Sequence, residues 1–406
     1  STLEAADFTQ AVLVDASQRQ SERLHLAALC AALGTPLPSN DANHLSLPLG
    51  PLRLKWERHG EFSGYTFIVD GQGSKGFDDT AMAQLPPGWL AAVPGRTIMA
   101  AHALLLAGDV EAATPERLAA WFGTGAVVQG SQVVGGAAGV FTDFRLHGDG
   151  CGRFVMLDKG LTPRQAGRVL QRLFEVEVYR LLALLALPLA QALSPRVVAI
   201  EAALADLTAS IARESGAEEA LLHELTRLAA EVEQGLSSSQ YRFGACRAYS
   251  QLVATRIADL RESRLPGLQT IEEFMARRFS PAVSTCVTVS QRLHDLSERV
   301  AQASALLATR VGIARERQNQ ALLASMDRRA RLQLRLQQTV EGLSVAAIAY
   351  YAAGLLGYLA KGAKAAGLPI DSDLVVGLAL PLLAAAVFLA VRRARHKAHE
   401  GEQAKR

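Results

Sequence analysis

The sequence predicts an α+β cytosolic domain followed by a long helical stalk and a C-terminal two-helix transmembrane hairpin. Three observations lead there. Residues 343–360 and 374–391 are two charge-free apolar segments of about 18 residues. At ~1.5 Å rise per residue each would reach ~27 Å as a helix, close to the roughly 30 Å of a bilayer core. Period-two alternation of apolar and polar residues recurs up to about residue 160 and then stops. From Pro281 to the first apolar segment there is no further proline, and only Gly312 and Gly342 interrupt a helical pattern. The division that follows is 1–160 (cytosolic α/β domain), 161–342 (helical stalk), 343–391 (transmembrane hairpin) and 392–406 (basic cytosolic tail).

The elements follow in order. Residues 4–33 carry apolar positions at helical spacing and stop at Gly34 before Pro36, which predicts an opening helix. Residues 52–56 alternate as a strand, turn near His59 and Gly60, and return through 65–69 as a hairpin. Residues 97–106 and 127–134 are further strands, although the alanine-rich 100–107 also fits a helix. A second hairpin is predicted at 140–147 and 153–157 around a glycine-rich turn. Thr162 and Pro163 then supply an N-cap and a first helical position. That helix carries the run 181–187, too short to span a membrane, and breaks at Pro188. Ser194 with Pro195 opens another helix, 237–264 and 270–279 form two more, and Ser280 with Pro281 opens the last. In it Leu293, Leu296, Val300, Ala303, Leu307, Ala314 and Ala321 keep a spacing of three to four, a seam for packing on other helices.

Composition limits the function. The 406 residues are 50% apolar but only 6% aromatic, so the excess lies in alanine, leucine and valine, which suits helices. A formal charge of +3 is too small to imply nucleic acid as the partner. Cys30, Cys151, Cys246 and Cys286 are far apart with no CxxC pair, as expected of reduced thiols in a cytosolic domain. The acidic first residues carry no basic-then-apolar signal, so export of the N-terminal portion is not expected.

Basic residues are concentrated around the apolar segments. Arg328, Arg329, Arg331 and Arg335 precede the first; Arg392, Arg393, Arg395 and Lys397 follow the second. Between the segments Lys361 and Lys364 are offset by Asp371 and Asp373. The positive-inside rule then places both termini in the cytoplasm, with two transmembrane helices in a bacterial inner membrane. The flanking clusters would rest among anionic headgroups, at about 1 kcal/mol per basic residue; in an oligomer they could ring a pore mouth. Within the first segment Ala349, Ala353 and Gly357 repeat every four residues beside Gly354, a stripe that lets helices approach closely in lipid. Tyr358 sits at headgroup depth, while Tyr350 and Tyr351 fall mid-segment.

Chemical motifs are sparse. Gly71, Gly73 and Gly76 fit a dinucleotide fingerprint, but Pro86 and Pro87 leave no room for the long helix that motif requires. His147 and Cys151 are four apart across a turn, with no second pair to complete a metal set. Glu57, Arg58, His59 and Glu61 crowd one turn and suit either acid–base work or alternating outward charges. No nucleophile elbow or phosphate-binding P-loop is present. No catalytic, cofactor-binding or metal-ligating residue is therefore assigned, no cofactor is expected, and the protein reads as a non-enzyme.

Several stretches resemble an uncharacterised bacterial family of membrane-anchored proteins built on a domain of unknown function. They are Trp56 to His59 with Glu61 and Phe62; Phe141 to Phe144; Gln269 and Thr270 with Glu273 and Phe274; and 325–330 with 336–345. The resemblance covers nearly the whole chain and implies a membrane anchor but no activity. The layout alone is similar to CorA-type divalent-cation channels, which carry Gly-Met-Asn at the outer end of their first span. Here that place reads from Gly357 to Gly362 with Lys361 and no asparagine, and an ammonium does not suit a filter of carbonyl and amide oxygens.

The expected function is a non-enzymatic, homo-oligomeric scaffold or sensor at the cytosolic face of the inner membrane. Its partners would be the lipid bilayer and copies of itself, with no nucleic acid and with an unassigned small-molecule or ion ligand. The alternative is a CorA-like oligomeric ion channel or transporter. An enzyme using the Glu57–Glu61 turn would require those carboxylates to meet His102 or His147 in one concave pocket.

Overall fold

A computed structural model describes residues 4–35, 42–70, 76–78, 80–213, 218–365 and 371–403. The chain divides into two compact units, Ser1–Leu307 and Ala308–Arg406.

The first unit is organised on a mixed sheet with nine strands among the described residues: β1 Ala5–Leu13, β2 His44–Leu49, β3 Leu52–Arg58, β4 Phe62–Asp70, β5 Arg96–Ala107, β6 Gln129–Val133, β7 Ala138–Thr142, β8 Gly152–Asp158 and β9 Ser263–Arg264. Their order is β2-β3-β4-β1-β5-β8-β7-β6-β9. Neighbours run antiparallel except β5 and β8, which are parallel.

The predicted opening helix over 4–33 is corrected. Residues Ala5–Leu13 form β1, paired to β4 and β5, and the helix α1 covers only Arg19–Ala32. The reason lies in burial: eight of the nine residues of β1 are buried, on both faces of the sheet. A strand covered on both sides loses the clean polar alternation by which strands are read.

One face of the sheet carries the core. Leu26, Leu29 and Cys30 of α1 pack there with Phe8, Val12, Trp56, Tyr65 and Phe67. Helix α2, Pro115–Phe122, seats Trp121 and Phe122 on Leu104, Leu106, Val155 and Leu157. The opposite face receives α3, Pro163–Leu184, which packs on β5 and β8. It starts where the sequence predicts: Thr162 and Gln165 form a reciprocal capping box, with proline at the first position. Helices α4 (Leu187–Ala212), α5 (Glu218–Leu260), α6 (Ile271–Arg278) and the first part of α7 (Ser280–Ala365) complete the unit. Pro195 does not open a helix but lies inside α4, and α5 begins well before residue 237. On α7 the seam Leu293, Leu296, Val300, Ala303 and Leu307 is buried, Ala314 is half-buried and Ala321 is exposed.

The predicted fold class is also corrected at its C-terminal end. The chain has an N-terminal nine-strand mixed-sheet domain and a long helical region, and the two-helix transmembrane hairpin is not shown. Residues 343–360 are not a separate helix but part of the 86-residue α7. Gly342 costs a helix only about 1 kcal/mol relative to alanine, and without a proline nothing stops propagation. Among the described residues, two stretches are long and apolar enough to cross a membrane by length and composition, Pro163–Ala212 and Ser280–Ala365. In α8, Ser372–Gln403, the apolar run Val376–Ala390 is shorter and Pro381 interrupts it.

Candidate functional site

The sheet face that holds α3 is covered only in part, and the uncovered part is a cleft of about 560 Å³. Register places its floor. Asp7, Thr9 and Ala11 of β1 lie beside Ile68, Thr66 and Gly64 of β4, and Lys55 and Glu57 of β3 lie beside Thr66 and Gly64. These are the alternate positions of strands whose other side chains, such as Phe8, Trp56, Tyr65 and Phe67, fill the core opposite. The floor is lowest along Thr9, Ala11, Gly64 and Thr66, which are small; a Cβ added at Gly64 would meet nothing within 4 Å. Arg164, Gly167, Arg168, Gln171, Glu175 and Tyr179 of α3 form the wall, and Gly167 also faces open space.

Charge in the cleft is unevenly matched. Lys55 pairs with Glu57 at 2.9 Å, and Glu175 pairs with Arg256 of α5. Asp7 is 6% exposed, and its Oδ1 has no hydrogen-bond partner among the described residues. Burial pushes the Asp7 carboxyl up to about 7; Asp70 adds to the rise and Arg53 opposes it. Thr9 and Thr66 bond to each other through their hydroxyls. Arg164 and Arg168 are exposed at the rim. The cleft thus offers an anionic or proton-sharing floor and a cationic edge. Among the described residues no serine or cysteine lines it.

The charged turn after β3 divides between two tasks. Glu57 and His59 line the cleft, and the His59 ring stacks on Phe62 at 4.2 Å. Glu61 is taken by α5, accepting from Arg242 at 2.9 Å and from Tyr241 at 3.3 Å, so it docks the turn on the helix. Neither His102 nor His147 joins this cleft. The meeting of the Glu57–Glu61 turn with His102 or His147 in one pocket is therefore not formed.

His102, Asp149 and Cys151 come together elsewhere. His102 shares its sheet face with Phe8, whose ring is 5.1 Å away, and its Nε2 lies 3.5 Å from Asp149 Oδ2. Burial lowers the imidazole to about 4, and burial with the Asp149 charge pushes the Cys151 thiol up to about 12. His147 is not part of the group: its Nε2 pairs with Asp143 at 3.2 Å. His102 lies about fifty positions upstream of Cys151, and the parallel pairing of β5 with β8 brings the two near, so local spacing around Cys151 does not reveal the group.

Asp7 was also missed, since its segment read as a helix. The glycine motif largely lies outside the described residues, with Gly71 and Gly73 among the undescribed; Gly76 adopts φ +68°. Arg328, Arg329, Arg331 and Arg335 are exposed on α7, and Arg331 pairs with Asp327 at 2.7 Å. Arg393 is exposed on α8, whereas the side chains of Arg392, Arg395 and Lys397 lie outside the described ones. In the second unit Ala349 and Ala353 are buried, a Cβ on Gly357 would sit 3.3 Å from Val376 Cγ2, and Gly354 faces open space.

A family model described as a protein of unknown function (DUF3422) matches residues 3–398. No curated protein and no solved structure matches the chain.

Proposed function

We propose, for a chain that belongs to the DUF3422 family, a non-enzymatic sensor that associates with the inner membrane and reads a small zwitterion in the α3 cleft. The observation that carries this reading is the buried Asp7 carboxyl, whose Oδ1 has no hydrogen-bond partner among the described residues, in a cleft edged by Arg164 and Arg168. An ammonium group on the floor would complete Asp7, and an acidic group at the mouth would meet the arginines. The volume falls within the ~300–1,000 Å³ common for metabolite pockets. Membrane association is supported by the charge-free residues 343–360 of α7, and a cytosolic placement of the preceding side is supported by Arg328 to Arg335.

The test is a thermal-shift and calorimetric screen of amino acids and small amines against the full chain in detergent. A zwitterion should bind, be recovered unchanged, and lose its affinity in both Gly64→Leu, which fills the floor, and Asp7→Asn. Binding that survives Gly64→Leu, or turnover of the bound molecule, overturns the reading.

A second reading, a CorA-like channel, draws on the continuity of α7 from the sheet-bearing unit into the apolar residues. Lys361 on the same helix argues against a cation path. Selective divalent-cation flux in liposomes would decide for it.

A further inference from the structure

Across the sheet from the cleft, three side chains with metal-binding chemistry converge without serving the ligand site. One ring nitrogen of His102, a carboxylate oxygen of Asp149 and Cys151 Sγ all lie within 4.8 Å of one another. We infer that His102, Asp149 and Cys151 bind a divalent cation of the zinc class, as three protein ligands with a fourth position open.

The donor set fits that class. Imidazole nitrogen, carboxylate oxygen and thiolate sulfur are the three ligand types zinc takes, and three ligands with an open place are the pattern of exchangeable or reactive sites. The site is also built. His102 is fixed in β5 and 1% exposed, and Cys151, just before β8, is 3% exposed. Asp149 Oδ1 accepts the Cys151 N–H at 2.9 Å, which leaves Oδ2 turned toward His102. The turn itself is closed by backbone bonds between His147 and Cys151 and between Gly150 and His147. His102 Nδ1 is buried and has no hydrogen-bond partner among the described residues, so the fold leaves that ring without its full complement of partners. Asp149, with 29% of its side chain exposed, gives an entry path.

Among the described residues the positive group of Arg153 stands near. Arg153 lies over the Phe77 ring and donates to the Trp121 carbonyl oxygen at 2.7 Å, which holds its guanidinium in place. A dication bound by one carboxylate and one thiolate is neutral overall, so Arg153 does not oppose it. As the sulfur–metal bond forms, the Cys151 S–H bond breaks and one proton passes to solvent; nothing is oxidised or reduced.

The test is titration of the metal-free full chain in detergent with Co²⁺, a spectroscopic substitute for Zn²⁺. One equivalent should give a thiolate-to-cobalt charge-transfer band, which Zn²⁺ then bleaches. The band should vanish in Cys151→Ser. Asp149→Asn changes a partly exposed side chain and should fold, and it should bind at least about tenfold more weakly. His147→Ala and the cleft variant Gly64→Leu should bind like the parent, so that failure here is distinguishable from failure of the ligand site. Circular dichroism confirms that each variant is folded. No band in the parent protein, a band that survives Cys151→Ser, or unchanged affinity in a folded Asp149→Asn overturns the site.

Discussion

Asp7 sets the pH behaviour of the sheet. Its carboxyl sits among small floor residues with one oxygen unpartnered, and burial lifts its pKa from 3.8 in the unfolded chain to about 7. A carboxyl raised on folding holds its proton more tightly in the folded state. Its contribution to stability is therefore complete below pH 3.8 and lost as pH rises through about 7. Asp7→Asn removes the charge without changing the shape. The variant should match the parent near pH 4 and exceed it by a few kcal/mol at pH 8, at ~1.4 kcal/mol per pKa unit. Urea titration followed by tryptophan fluorescence checks this, since all three tryptophans (Trp56, Trp89 and Trp121) lie in the first unit. Equal pH profiles for the two proteins would refute the role assigned to Asp7. The core opposite shows how a buried carboxylate is otherwise accommodated. Glu22 Oε1 accepts from Tyr65 at 2.8 Å and from Trp56 at 3.2 Å, while Arg58 stands 3.6 Å from Oε2. Among the described residues Asp7 Oδ1 has no such donor, and the proposed ligand site rests on that difference.

At the scale of elements, short α6 is held at its start by two carboxylates. Thr270 Oγ1 accepts the Glu273 N–H at 3.1 Å and the Glu273 carboxylate accepts the Thr270 N–H at 3.2 Å. Glu262 takes the next two, Ile271 at 3.1 Å and Glu272 at 3.0 Å, and also receives the Ser131 hydroxyl of β6. Glu262→Ala should cost about 2 kcal/mol, from lost charge-assisted bonds and an uncapped N-terminus, and should loosen β9 from β6. Hydrogen exchange at Ile271 and Glu272 would show it; protection equal to the parent's would refute it. The helix over 270–279 was legible from its local pattern, whereas the Glu262 contribution was not, because it comes from a loop nine residues upstream. The same contrast runs through the sheet. β3, β4 and the start of α3 announce themselves by alternation or by caps, whereas the alanine-rich β5 also fits a helix. β1 is hidden by burial on both faces. The cleft needs β1 between β4 and β5, so it could not be read until that strand was placed.

For the whole molecule, α7 sets two kinds of surface in sequence. Over 311–343 it carries Arg328, Arg329, Arg331 and Arg335 together with exposed Leu322, Met326, Leu332, Leu336 and Val340. A water-facing helix with that many bare leucines is incompletely covered within one chain. Its charges disfavour lipid as the cover, which leaves protein. Residues 343–360 carry no charge, and there lipid is the natural solvent. The proposed homo-oligomerisation through the first stretch and the proposed membrane association through the second can therefore be tested separately. Leu332→Lys with Leu336→Lys alters one face, four residues apart on the helix, and leaves the apolar segment intact. The parent should run in mild detergent as a multiple of 43.3 kDa, and the double variant as a single chain. Both should stay with vesicles through an alkaline carbonate wash. Release of the parent by carbonate would sink the membrane assignment. A parent already monomeric would sink the oligomer and, with it, any channel built from copies of α7, since one such helix cannot enclose a water path.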